Sequence, residues 1–560
     1  MKYNLGMSTS FYTTYLTQIY GSELAKQIEL RLHNLLEEYR GKIPIPVDYS
    51  LSERDSLLVT YADQLRQVGQ PHLHTLADFC ERRLSHVVGG IHILPFFPWS
   101  SDDGFSVKDY RTVEPSLGTW EDVERLGSSF RLMFDGVINH TSVQGEWFQQ
   151  FLRDITPYRD YFLTVEGNPD LSDVVRPRAL PLLTEFSARS GLRQVWTTFS
   201  ADQADLDYHN PDVLLEIFDI LLGYTRHKAQ FIRLDAVAYL WKEIGTSCIH
   251  LPQTHAIIRL LRAILDDVAP HVRLITETNV PHQDNIAYFG DGTNEAQLVY
   301  NFALPPLVLH TFRTADASVL SEWAGTLEPP SDQTTFFNFL ASHDGIGLNP
   351  ARGILSPADL DRLVEQTLAH GGLISYKQNS DGTQSSYEMN INYFDALSNP
   401  TSHEPLELQV DRFMASQAIM LSLRGLPGIY FHSLFGSRGW KEGVTISRHN
   451  RTINRQKLQR ASLETDLDDP RSLRSQVFER YRTLLIQRSA STAFNPHGGQ
   501  KILDMGPGIF AVQRTSPDEN QRMLCLQNVT AQTQSAGRYT LQPYQTLWLD
   551  NPSSSHTIPQ

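Results

Sequence analysis

Cysteine is scarce in this chain: Cys80, Cys248 and Cys525 are the only three in 560 residues, and they lack metal-ligand spacing. That excludes a disulfide scaffold and a cysteine-based zinc module, and it fits a reducing compartment, most simply the cytoplasm. There is no run of about 18 apolar residues, so no membrane span is expected, and residues 1–10 lack the apolar core of a signal peptide. Positive charge is also short. Lys and Arg number 48 against 63 Asp and Glu, a formal net charge of -15 that argues against a nucleic-acid surface. Neither repeats nor low-complexity tracts occur.

What the chain has is length and rhythm. A chain this long exceeds one simple core and implies a large domain with additions. Residues 11–40 carry Tyr15, Leu16, Ile19, Leu24, Ile28, Leu32 and Leu35 at helical spacing with charges between them. The Gly/Pro-containing stretch 41–46 ends that pattern, so residues 1–52 are expected to form a helical extension. Its apolar face would lie on the main body or on another subunit, which allows a monomer or a homodimer.

From residue 57 short apolar strands alternate with amphipathic helices. Strands are expected at 57–61, 91–95, 131–138, 231–235, 273–277, 299–302, 334–340 and 428–431. Eight such units predict an α/β protein, a (β/α)₈ barrel over 53–490. Two connections are too long to be plain turns. Residues 142–205 read as a small insertion after the third strand. Residues 345–406, rich in Gly, Asn and Ser, read as a second insertion, after the seventh, covering the active face. Beyond a helix near 472–490, the tail over 491–560 alternates like a small antiparallel β domain.

Three strand endings carry the chemistry. In Phe231-Ile232-Arg233-Leu234-Asp235 the cation and the carboxylate leave one face, because strand side chains repeat every two residues. Arg233 would hold Asp235 ionised and oriented, as a carboxylate nucleophile requires. Glu277 closes a second apolar run and Asp344 follows a third. A parallel barrel gathers such residues at one rim. Glu277, beside two carboxylates, is expected to have a raised pKa, and Asp235, beside Arg233, an ordinary one. Asn139 is a possible calcium ligand, but the inserted segment holds no acidic cluster near it, so no metal is expected.

The segments Asp135-Gly136-Val137-Ile138-Asn139-His140, Arg233-Leu234-Asp235-Ala236-Val237, Glu277 and His343-Asp344-Gly345-Ile346-Gly347 occur in an order that resembles the α-amylase superfamily. Gly245-Thr246-Ser247-Cys248, the stretch 302–307 and Ile453-Asn454-Arg455 are similar to its sucrose-phosphorylase branch. The resemblance spans about 57–490. It implies Asp235 as nucleophile, Glu277 as acid and then base, and Asp344 as the carboxylate that holds glucose hydroxyls. Retention by such a pair requires carboxyls about 5 Å apart, one of them protonated. His140 and His343 would donate to the sugar, Asp102 and Arg455 would clamp its non-reducing end, and Phe105 and Tyr239 would give it apolar faces. Arg178 matches a phosphate-contacting arginine, a role suited to a bidentate guanidinium, and Tyr387 matches a tyrosine of the phosphate-bound state.

Sucrose phosphorylases usually carry a histidine where this chain has Asn279, and Tyr-Gln where it has Tyr387-Glu388. These departures look like those of the glucosylglycerate phosphorylases, which implies α-1,2-glucosyl-D-glycerate and phosphate as substrates. Arg352 or His282 would meet the glycerate carboxylate. The implied partners are a small glucoside and phosphate, with no cofactor. The alternatives are a phosphorylase for sucrose, sucrose 6-phosphate or glucosylglycerol, a hydrolase or transglucosidase, and an inactive binding subunit, against which the three acids speak.

Overall fold

The structure is a computed structural model that describes residues 5–379 and 381–550; the ends of the expected N- and C-terminal segments and residue 380 lie outside the described residues. Eight parallel strands close a barrel in chain order: β1 (Leu57–Thr60), β2 (Gly90–Ile93), β3 (Arg131–Val137), β4 (Ala229–Asp235), β5 (Arg273–Thr276), β6 (Leu298–Tyr300), β7 (Thr335–Asn338) and β8 (Leu426–Tyr430), with β8 paired to β1. Helices cover the outside and side chains fill the inside, so nearly every strand residue is buried. That double burial is why the strands read as unbroken apolar runs. Several expected strands overran at their C-terminal ends. Glu277, Phe339 and Leu340 leave the ladder there, because the chain turns to line a cavity.

The expected single helix over 11–40 is two. Gly21, in the left-handed region at φ 80, separates α1 (Leu5–Tyr20) from α2 (Ser22–Glu37). Such a φ suits glycine, which has no Cβ to clash. The two helices lie on the barrel's outer helices: Ala25, Ile28, Leu32 and Leu36 are buried, Tyr12 donates to Asp267, and Tyr39 donates to Asp219 at 2.6 Å. Burial of that apolar stripe, about 1.5–3 kcal/mol per large side chain, outweighs exposed pairs such as Arg31–Asp212.

Within 142–205 lies a three-stranded sheet of Thr164–Val165, Leu183–Ala188 and Gly191–Trp196, while His140–Ser142 pairs with Gln203–Asp205. A buried clip joins this segment to the barrel. The Lys242 ammonium lies 2.7 Å from Asp205 and donates to Asn139 Oδ1 at 2.9 Å. Asn139 thus gives its carbonyl to an ammonium. Residues 345–406 contribute an antiparallel sheet of Ile346–Gly347, Gln384–Asn390 and Leu373–Gln378. After the helix Leu473–Ser489, a four-stranded antiparallel sheet (Gly499–Ile502, Ile509–Thr515, Arg522–Asn528, Thr546–Asp550) forms the C-terminal β unit. Buried Arg514 ties it to the rest by donating to the carbonyls of Ser422 and Asn495.

Candidate active site

At the C-terminal ends of the strands a cavity of about 940 Å³ opens, lined by residues from seven of the βα connections, both long insertions included. Its floor is set by strand register. Arg233 on β4 and Asp135 on β3 are direct neighbours, and their side chains pair through Arg233 Nε. His92, from β2, meets the other Asp135 oxygen at 2.8 Å. Asp135 is fully buried, which alone would raise its pKa, but Arg233 and His92 overcome that and bring it to about 2. Arg233 then donates through Nη2 to Asp235 at 3.0 Å. Its guanidinium also lies 5.5 Å from the Phe105 ring and 5.6 Å from that of Tyr300.

Glu277 sits one residue beyond β5. Its backbone N–H donates to Leu234, and its Oε2 accepts from the N–H of Ala236 at 3.1 Å, so it is fastened to the peptide next to Asp235. Burial raises the pKa of both acids. For Asp235 this corrects the expectation of an ordinary value. Arg233 is shared with Asp135, and burial together with the like charges of Glu277, Asp135 and Asp344 outweighs the half-share that Asp235 receives. Since the charge of Glu277 acts on buried Asp235, ionising both acids at once is disfavoured.

Asp344 behaves in the opposite way. Burial would raise it, but Arg451 at 2.5 Å, His343 at 3.5 Å and Arg455 at 3.3 Å hold it well below the usual carboxylate range. Arg455 also reaches Asp102 at 3.0 Å and Asp103 at 3.1 Å, and its Nε donates to the His343 carbonyl. The His343 ring stacks on Phe105 with centroids 4.7 Å apart, and burial lowers its pKa to about 3, so it is neutral. Tyr239 lines the wall with its ring edge-on to Phe199.

His140 lines the same cavity, but its ring is already engaged. Nε2 donates to the Phe105 carbonyl at 3.0 Å, and Nδ1 accepts from Asn139 at 3.2 Å. The hydrogen-bond donation to sugar expected of it would have to replace the Phe105 bond. At the mouth, Arg178 lies over the Tyr387 ring at 5.7 Å. Asn279 faces the cavity and packs on Gly347, where a Cβ would come within 2.4 Å of Asn279 Oδ1. That Oδ1 is buried without a hydrogen-bond partner.

Glu388 is misplaced as an acceptor contact. It is fully buried behind the wall, and both its oxygens bind Arg451, at 3.0 Å and 2.6 Å. It approaches so closely that a Cβ on Gly345 would come 2.6 Å from its Cγ. Arg352 and His282 are likewise not at the cavity: Arg352 donates to Asn349 and Ser386, and His282 is buried edge-on to Trp323. Sequence reasoning missed Arg451. Its signal was faint, a second arginine four residues before Arg455 in the short helical turn Asn450–Asn454.

A parallel eight-stranded barrel that collects three carboxylates, a buried Arg–Asp pair and a guanidinium clamp around one cavity has the layout of the amylase class of glycoside-processing enzymes. Residues 86–345 match the α-amylase catalytic-domain family. The chain is 53% identical over 92% of its length to a glucosylglycerate phosphorylase of Spirochaeta thermophila, covering 88% of that protein. It is 45% identical over 91% of both chains to the glucosylglycerate phosphorylase of Escherichia coli. The crystal structure of sucrose 6F-phosphate phosphorylase from Thermoanaerobacter thermosaccharolyticum superposes with a TM-score of 0.76 at 25% identity, over 92% of this chain and 99% of that one. The chain belongs to the α-amylase family and, within it, to the glucosylglycerate phosphorylases.

Proposed function

We propose that the protein converts α-1,2-glucosyl-D-glycerate and phosphate to α-D-glucose 1-phosphate and D-glycerate, with retention. The observation that carries this reading is the junction of the Asp235–Glu277 pair with an arginine, Arg178, that has no carboxylate partner among the described residues, in one cavity. The names and identities of the relatives supply the acceptor.

In the first step a carboxylate oxygen of Asp235 attacks the anomeric carbon. The bond to the glycerate 2-oxygen breaks, and Glu277 gives that oxygen its proton. In the second step a phosphate oxygen attacks the same carbon, Asp235 leaves, and Glu277 takes the phosphate proton. The first step needs the pair's one proton on Glu277 and Asp235 ionised. Asp344, fixed as an anion, holds sugar hydroxyls and stabilises the developing positive charge. Arg455 with Asp102 closes the far end of the cavity, which admits one terminal glucose.

Water at about 55 M competes with phosphate, so phosphate must be captured beside the anomeric carbon. Arg178 does this in our reading, with Tyr387 beneath it. Phosphate is a co-substrate, and no cofactor or metal is required. Lys242 supports the last point, since it supplies the positive charge between Asn139 and Asp205. Among the described residues no helix is long and apolar enough to cross a membrane. We place the enzyme in the cytoplasm, working as a monomer or homodimer on small molecules.

The test is an acceptor scan from glucose 1-phosphate, with product analysis with and without phosphate. D-Glycerate should exceed fructose, fructose 6-phosphate and glycerol, and glucose 1-phosphate should dominate over free glucose in the forward direction. If fructose clearly outperforms D-glycerate, the acceptor is wrong. If glucose dominates, the enzyme is a hydrolase.

A further inference from the structure

Among the described residues six lysine and arginine side chains line the cavity: Arg66, Arg178, Arg448, Arg451, Arg455 and Lys457. Four of them are bound to carboxylates. Arg66 and Lys457 share Asp63, Arg451 joins Asp344 to Glu388, and Arg455 holds Asp102, Asp103 and Asp344. Only Arg178 and Arg448 have no carboxylate partner among the described residues. An arginine already clasped by carboxylates offers an incoming anion little net charge, whereas a free one offers a whole positive charge and a bidentate fork.

The reaction handles two anionic groups, phosphate and the glycerate carboxylate. Arg178 lies over Tyr387, and both act electrostatically on Tyr239, which also feels Glu277. Arg178, Tyr239, Asp235 and Glu277 line one cavity, and the proposed reaction assigns Arg178 to the anomeric end, where phosphate must enter. Arg448 comes from the connection after β8, at the C-terminal end of the helix Lys441–Ser447, three residues before Arg451. Its backbone is left-handed (φ 60, ψ 21), a conformation that glycine or asparagine adopts more readily, and its side chain is exposed at the cavity rim. Ser447, His449 and Asn450 line the rim on either side of it.

We propose that Arg448 is a specificity-determining residue that binds the carboxylate of the acid acceptor, leaving Arg178 to phosphate. This assignment rests on the acceptor reading above. Two separate cations let glycerate depart without vacating the group that captures phosphate, so each anion has its own site.

The experiment measures kcat/KM from glucose 1-phosphate with D-glycerate and with glycerol, which has the same carbon skeleton without the carboxylate. The enzymes compared are wild type, Arg448→Ala, Arg448→Lys and Arg178→Ala. An exposed charge-assisted contact predicts that Arg448→Ala lowers the glycerate-to-glycerol ratio by on the order of tenfold, mainly through the KM for D-glycerate. Arg448→Lys should recover part of the ratio. In the forward direction Arg178→Ala should raise the KM for phosphate more than Arg448→Ala does. An equal loss with both acceptors, or an unchanged ratio, overturns the role of Arg448. A wild-type enzyme that does not prefer D-glycerate overturns the acceptor itself, which is a separate and distinguishable failure.

Discussion

The floor and the rim of the cavity are built by different means. On the floor, Asp135, Arg233 and Asp235 stand on adjacent strands in fixed register, His92 comes from a third strand, and Glu277 is the first residue after a fourth. At the rim, Arg178, Asn279, Tyr387 and Arg448 come from connections of differing length. Strands hold groups to the tolerance that bond making demands, and their hydrogen-bond ladder cannot slip by one residue without turning every side chain over. Loops can be exchanged without disturbing that ladder. In the proposed mechanism the contrast separates glucosyl chemistry, set by the barrel, from the choice of acceptor, set at the rim.

The largest effect should come from breaking the floor. Asp235→Asn should lower turnover on the order of 10⁴-fold or more, because an amide cannot form the glucosyl ester. It should not unfold the protein. The folded-state pKa of Asp235 is raised, so its ionised form costs stability as pH rises through that value, and the cost is absent below the ordinary carboxylate value of 3.8. At neutral pH the amide variant should therefore melt at or above the wild-type temperature, and at pH below 3.8 the difference should vanish. Near-wild-type turnover would remove the nucleophile assignment.

The next effect tests what joins the two regions. Lys242→Met strands the fully buried Asp205 carboxylate, and losing one partner of a buried pair costs about 3–5 kcal/mol. The melting temperature should fall by several degrees, and wild-type melting should not respond to a chelator of calcium. A chelator-sensitive wild type would mean that the ammonium does not serve as the local cation.

The same division explains what could be read from the sequence. The eight strands were visible as apolar runs, because burial on both faces leaves little room for polar residues. The Arg233–Asp235 link followed from period two alone. The break at Gly21 was not visible, because one residue barely disturbs the apolar spacing across 11–40. The raised pKa of Asp235 was hidden too: from sequence Arg233 has one neighbour, whereas across the sheet Asp135 takes its Nε. Residues whose backbone must be left-handed at the site, Asp102, Asp103, Ala236 and Arg448, carry no mark in the sequence. Glu388 was misread because a residue's position in a loop says nothing about which way it faces. Its antiparallel pairing with Gly347 turns it inward, behind the wall, onto Arg451.

That correction gives the smallest prediction. Glu388→Gln puts the amide of the sucrose-specific relatives into the acceptor loop, and if Glu388 touched the acceptor the change should move preference from D-glycerate toward fructose. Its burial argues otherwise. Glu388 acts as a positioning residue, holding Arg451 at 2.6 Å so that Arg451 can hold Asp344 at 2.5 Å. The amide keeps one acceptor oxygen but loses the second, charge-assisted bond, so kcat/KM should fall by roughly tenfold at most. The fall should be the same for every acceptor, because in the proposed mechanism Asp344 meets only the glucosyl part. A shift in the ratio of D-glycerate to fructose would place Glu388 at the rim after all.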